Sequence, residues 1–142
     1  MIQNTRIMVF GTFDVLHKGH LNFFEQAKNL LKNSLLIVSV ARDVNVKKIK
    51  GRKPLYNQNS RLKRVKALNF VHKAVLGGLN NHLLHILREK PAVIALGYDQ
   101  KEYVRGLGAS LKKRGLPVKI VRLKAYRPKL YKSSKMLNVN RD

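Results

Sequence analysis

Cysteine is absent from the 142 residues. Disulfides, thiolate nucleophiles and cysteine-ligated zinc or iron–sulfur centres are therefore excluded. Acidic side chains are scarce as well. Seven Asp and Glu stand against thirty Lys and Arg, a formal net charge of +23. Long apolar runs are missing, and nothing approaches the roughly 18 residues of a membrane span. The start, Met1 to Phe10, lacks the layout of a signal peptide, so a cytoplasmic protein without a membrane segment is expected. What remains is ordinary for a folded chain: 44% hydrophobic residues, in a length that suits one domain, 1–142, with its own core. The charge attracts phosphates, nucleotides or nucleic acid. It equally suits a solvated surface of lysine-biased composition. The surplus is spread along the chain, whereas a nucleic-acid module concentrates it on one face.

Short apolar runs alternate with amphipathic stretches. Ile7-Met8-Val9-Phe10 reads as a buried strand ending at Gly11. From His20, the spacing of Leu21, Phe24, Ala27 and Leu31 predicts a helix stopping near Asn33. Leu35 to Val40 is a second strand, and Lys47 to Pro54 reads as a basic loop closed by Gly51 and Pro54. A helix is expected after Ser60, through Leu62, Val65 and Leu68. A strand follows at Lys73 to Leu76, then a helix through Leu83 and Leu87 ended by Pro91. Ala92 to Leu96 is a clear strand. Residues 100 to 114 look weakly helical, Val118 to Leu123 is a last strand, and a short helix is expected from Ser133. The pattern predicts an α/β fold, a single Rossmann-like domain whose parallel sheet has helices on both faces. Such sheets bind ligands outside the carboxyl ends of their strands.

The first such end carries the chemistry. Gly11-Thr12-Phe13-Asp14 is followed by Val15-Leu16-His17-Lys18-Gly19-His20, between strand and helix. There, backbone N–H groups and the helix dipole favour an anion. Gly11 lets a ligand or chain come close. His17 and His20 reach one ligand if the turn is tight, and imidazole donates to phosphoryl oxygens.

This segment resembles the signature of the cytidylyltransferase-like nucleotidyltransferases. That family includes glycerol-3-phosphate and choline-phosphate cytidylyltransferases, pantetheine-phosphate adenylyltransferase and archaeal FAD synthetases. Arg42-Asp43, Lys47 to Pro54 and Ala95 to Gln100 resemble the FAD synthetase branch most. The resemblance implies transfer of AMP from ATP to FMN, giving FAD and pyrophosphate. It implies a nucleotide site of Gly11, Thr12, Phe13, His17, His20, Gly97, Asp99, Arg127, Ser133 and Ser134. Asp14, Lys50 and Arg61 would meet the acceptor. His17 and His20 would act on the transferring phosphoryl group, and Lys48 or Lys50 would neutralise the triphosphate. Lys132 stands where the family usually has its first Ser or Thr. Mg²⁺ would arrive with ATP, with no dedicated protein metal site. ATP and FMN are the expected partners, a homodimer the expected assembly, and nucleic acid at most a non-specific one.

Two other functions stay open on the residues alone. One is a cytidylyltransferase using CTP and a phosphorylated alcohol such as glycerol 3-phosphate, since Asp99 can accept from either base's amino group. The other is a non-catalytic basic domain binding RNA or nucleotides. Gly106-Leu107-Gly108 lacks the preceding strand and third glycine of a dinucleotide fingerprint. His82 and His85 share a helix face with no metal-ligating neighbours and are expected at the surface.

Overall fold

The computed structural model describes residues 5–78, 82–98, 100 and 106–125. Five strands, β1 (Thr5–Gly11), β2 (Ser34–Val40), β3 (Lys73–Leu76), β4 (Val93–Leu96) and β5 (Lys119–Arg122), form one parallel sheet. Their order is β3-β2-β1-β4-β5. The helices are α1 (Lys18–Lys28), α2 (Asp43–Lys50), α3 (Gln58–Lys66), α4 (His82–Glu89) and α5 (Leu107–Lys113).

The strands are apolar without alternation because both sheet faces are covered. In β1, Ile7 and Val9 enter one core cluster while Met8 and Phe10 enter the other. In β4, Val93 and Ala95 separate from Ile94 and Leu96 in the same way. Phe24 and Ala27 of α1 and Val65 of α3 complete the first cluster. Ile86 of α4 and Leu111 of α5 complete the second. The Rossmann-like α/β domain expected from the pattern is the observed fold.

Several boundaries differ from the sequence reading, each for a local reason. The basic stretch expected as a loop is mostly helical: α2 carries Lys47, Lys48 and Lys50 in its last turn. Only Val46 of α2 is buried, so the helix offers almost no apolar periodicity. Its charges nonetheless suit the helix dipole, with Asp43 in the first turn and lysines in the last. Gly51, at φ 77°, ends it in the left-handed conformation. Helix α3 starts before Ser60, because the side chain of Asn57 accepts the N–H of Ser60 and caps it. Helix α1 starts at Lys18 rather than His20 and stops at Lys28, capped by Asn29. Asn33 instead takes φ 56° in the turn before β2. Helix α5 is shorter than the span expected and begins after Gly106, at φ 72°. The helix expected from Ser133 lies outside the described residues.

Candidate active site

The strand order reverses between β1 and β4, which is where open parallel sheets hold their ligands. The loop after β1 and the loop after β4 flank this crevice. Gln100 fastens them together. Its Nε2 donates to the Phe10 carbonyl at 2.7 Å, and its Oε1 accepts the Gly97 N–H at 2.8 Å. The Gly97 carbonyl accepts the Gln100 N–H at 3.1 Å and Arg122 Nη1 at 2.7 Å. Gly97's donor and both its acceptor positions are therefore occupied within the protein. Gly97, expected in the nucleotide site, thus has its main-chain polar groups engaged in the turn.

His17 is the N-cap of α1. Its backbone is extended, at φ −144°, and its Nδ1 accepts the N–H of Gly19 at 3.0 Å. A ring nitrogen that accepts carries no proton, so the proton resides on Nε2, which becomes a donor. Three residues on, His20 stacks against it, with ring centroids 3.9 Å apart and planes 26° from parallel. The turn is thus tight enough to bring both imidazoles to one place. Burial pushes His20 down to about 3, helped by positive charge at His17 and Lys50 and opposed by the backbone at Val15. Burial also lowers His17. Both rings are neutral near neutral pH, so positive charge for an anion must come from elsewhere.

Phe13 holds this pair from below. It takes φ 52°, which folds its ring back into the core. The ring meets His20 edge-on at 5.5 Å and Phe24 at 4.9 Å. A Cβ on Gly11 would lie 2.5 Å from Phe13 Cζ. The place where a Gly11 side chain would stand is therefore taken by the Phe13 ring, a close approach of chain that the glycine allows. The Phe13 side chain, expected at the nucleotide, instead packs under His20.

Arg61 is the largest fully buried side chain of the described residues. Nε donates to the Tyr56 carbonyl at 2.9 Å, Nη1 to the Thr12 carbonyl at 2.8 Å and Nη2 to Asp43 Oδ1 at 2.7 Å. Asp14 is buried beside it, with Oδ2 accepting the Leu55 N–H at 2.6 Å and Oδ1 the Tyr56 N–H at 2.8 Å. Both residues were expected against the acceptor. Burial and these bonds make them framework residues that set the loops around the crevice. The sequence reading noted Asp43 only within the Arg42-Asp43 resemblance, with no role, and Gln58 not at all. They bond reciprocally: Asp43 N–H to Gln58 Oε1 at 2.9 Å, and Gln58 N–H to Asp43 Oδ2 at 3.1 Å. Their one signal was position, an acid at the start of α2 and an amide at the start of α3. Gln100 was noted only as the end of the Ala95 to Gln100 resemblance, with no role.

His85 is likewise not at the surface. It is buried, and its Nε2 lies 2.8 Å from Ser39 Oγ in the interior. Its face of α4 packs against the sheet. Asp99, Arg127, Ser133 and Ser134 lie outside the described residues. Among the described residues, no three His, Asp or Glu side chains come together to hold a metal ion. The carboxylates of Asp14 and Asp43 are engaged as given above. No helix of the described residues is long and apolar enough to cross a membrane.

The strand order and the paired histidines at its reversal define a Rossmann-like α/β nucleotidyltransferase. The family described as cytidylyltransferase-like matches residues 8–138, and the chain belongs to it. A FAD synthase of Thermoplasma volcanium is 38% identical over 129 residues, covering 91% of this chain and 89% of that protein. A FAD synthase of Methanosarcina mazei is 47% identical over 120 residues, covering 84% and 76%. A solved structure from Thermoplasma volcanium, named as a lipopolysaccharide core biosynthesis protein, aligns with a TM-score of 0.78 at 38% identity. It covers 86% of this chain and 98% of that one. Pantoate-beta-alanine ligase from Francisella tularensis shares the fold alone, with a TM-score of 0.61 at 18% identity, covering 97% and 66%.

Two outcomes test this geometry. Replacing Arg61 with Ala leaves Asp43 without its cation and removes a donor from the Thr12 and Tyr56 carbonyls. Denaturant unfolding should show a loss of about 3–5 kcal/mol, and a loss under about 1 kcal/mol would remove Arg61 from the centre of the framework. The second concerns pH. A histidine whose folded value lies below its ordinary 6.5 is protonated first in the unfolded chain. Stability is therefore complete above about pH 6.5 and falls as the solution is acidified toward the folded value. The melting temperature should drop from about pH 7 to about pH 5, less steeply in His20→Gln than in the wild type. Equal slopes would show that His20 is not held neutral.

Proposed function

We propose that the chain is an FMN adenylyltransferase, transferring AMP from ATP to FMN to give FAD and pyrophosphate. The observation that carries this is the run of relatives named FAD synthase, 38% to 47% identical over most of the chain. The geometry suits the chemistry. An oxygen of the FMN phosphate attacks the α-phosphorus of ATP, the bond to the β-phosphate oxygen breaks, and pyrophosphate leaves. The attacking group is already an anion, so no protein nucleophile is required. Positioning and stabilisation of developing charge remain.

His17 supplies a neutral Nε2–H donor, and the buried His20 stacks beside it. Among the two lysine candidates, α2 favours Lys50. Val46 marks the buried side of the helix, and Lys50 lies four residues on, along the same side. Lys48, two residues from Val46, lies nearly opposite. Lys50 is also the lysine whose charge acts on His20. It therefore neutralises the triphosphate beside the histidine pair. Mg²⁺ enters as part of the ATP substrate, bound mainly by phosphates and water. Asp99 reads the base, and Arg127, Ser133 and Ser134 hold phosphates, as the resemblance implies. A cytoplasmic homodimer completes the proposal, and light scattering tests the assembly.

Purified protein should form FAD from FMN and ATP with Mg²⁺, and little product with CTP, because a site matched to one base leaves polar groups unpaired with the other. His17→Ala and His20→Ala should each lower turnover by about 10²–10³. A CDP-alcohol made from CTP and glycerol 3-phosphate, with FMN untouched, would replace the acceptor and nucleotide while leaving the family. Salt-sensitive RNA binding with no pyrophosphate release would replace catalysis altogether.

A separate comparison tests the lysines. Lys50→Ala should lower turnover by about tenfold or more, while Lys48→Ala stays near wild type. Equal losses would mean that both merely contribute to the general field.

A further inference from the structure

The segment between α2 and α3 combines a rigid backbone with apolar side chains left in water. The N–H groups of Leu55 and Tyr56 are both held by the buried Asp14, and the Tyr56 carbonyl by the buried Arg61. Arg64 lies over the Tyr56 ring at 3.6 Å. Yet the Leu55 residue is 50% exposed. Nothing in folding requires a pinned backbone to present a leucine to solvent. Ile49, next to Lys50 in the last turn of α2, is 58% exposed. A preorganised apolar contact beside a binding site is what such an arrangement supplies.

Resting on the reading of FMN as acceptor, we propose that Ile49 and Leu55 form the apolar support for the acceptor's flat ring system. FMN has two unlike ends. Its phosphate is a dianion, and its isoalloxazine is a broad tricycle with an apolar dimethylbenzene edge. The structure places matching chemistry on one short stretch of chain. Lys50 faces the histidine pair at the phosphate end. Ile49 adjoins it, and Leu55 is tied through Asp14 to the motif that carries His17. The acceptor is thus selected by apolar contact at a distance from the reacting phosphate. Asp14 and Arg61 act by holding that contact in place.

The experiment compares Ile49→Ser, Leu55→Ser and the double variant with wild type. Val44→Ser is the control, because Val44 is 59% exposed but lies nearly opposite Val46 on the same helix. KM for FMN should rise about tenfold in each single variant, roughly one well-placed apolar contact. It should rise further in the double. KM for ATP, the melting temperature and the Val44→Ser enzyme should stay unchanged. Titration of FMN fluorescence without ATP should show the same weakening, independent of turnover. FAD formation with an unchanged KM for FMN, or an equal effect from Val44→Ser, overturns the proposal alone. A wild-type protein that forms no FAD and does not bind FMN overturns the functional reading, and this proposal with it.

Discussion

The guanidinium of Arg61 is the junction on which the crevice depends. Its three bonds reach three separate segments: the loop after β1 at Thr12, the start of α2 at Asp43 and the approach to α3 at Tyr56. Burying a charge this completely is costly unless its donors are met with good geometry. Here a carboxylate and two carbonyls meet them in different directions, which the planar fork of arginine permits and a lysine ammonium does not. Asp14 repeats the arrangement with opposite sign, receiving two backbone N–H groups from the same stretch of chain. The signature loop, α2 and α3 are therefore held as one unit.

The scarcity of acidic residues acquires meaning from where they sit. Of the four that the described residues include, Asp14 and Glu89 are buried and Asp43 is paired with Arg61. Glu89 also receives Lys73 at 2.9 Å. Glu25 alone faces water without an ion pair among the described residues. Negative charge is spent on internal structure, and the surface is left cationic. Near the motif, burial keeps His17 and His20 neutral, and at His20 neighbouring positive charge adds to it. In the proposed reaction the imidazoles act as oriented donors while lysine carries the charge.

The sequence made the fold legible because a covered parallel sheet writes itself as unbroken apolar runs. Ile7 to Phe10 and Val93 to Leu96 are buried on both faces, and no other arrangement explains them as simply. The histidine pair was legible through its spacing and its place after a strand. The rest was hidden for physical reasons. Helix α2 has one buried residue, so periodicity could not disclose it. Arg61 was expected against the acceptor, and its burial was hidden because burial of a charge depends on partners distant in sequence, Thr12 and Asp43. Phe13 and Gly11 matched the signature, but only the positive φ of Phe13 shows that the glycine makes room for a neighbouring ring. His85 carried no mark of its partner Ser39, which comes from strand β2, 46 residues away.

The side chain of Gln100 bears on how the crevice can move. It is bonded at one end to the end of β1 and at the other to the start of the loop after β4. The two banks of the cleft are thereby latched across the gap by one amide. Neither bank can swing away from the other without breaking a bond to the main chain. Adjustment to a large substrate must then come from the outer rim, where the loops leave the sheet, while the floor between the strands keeps a fixed width.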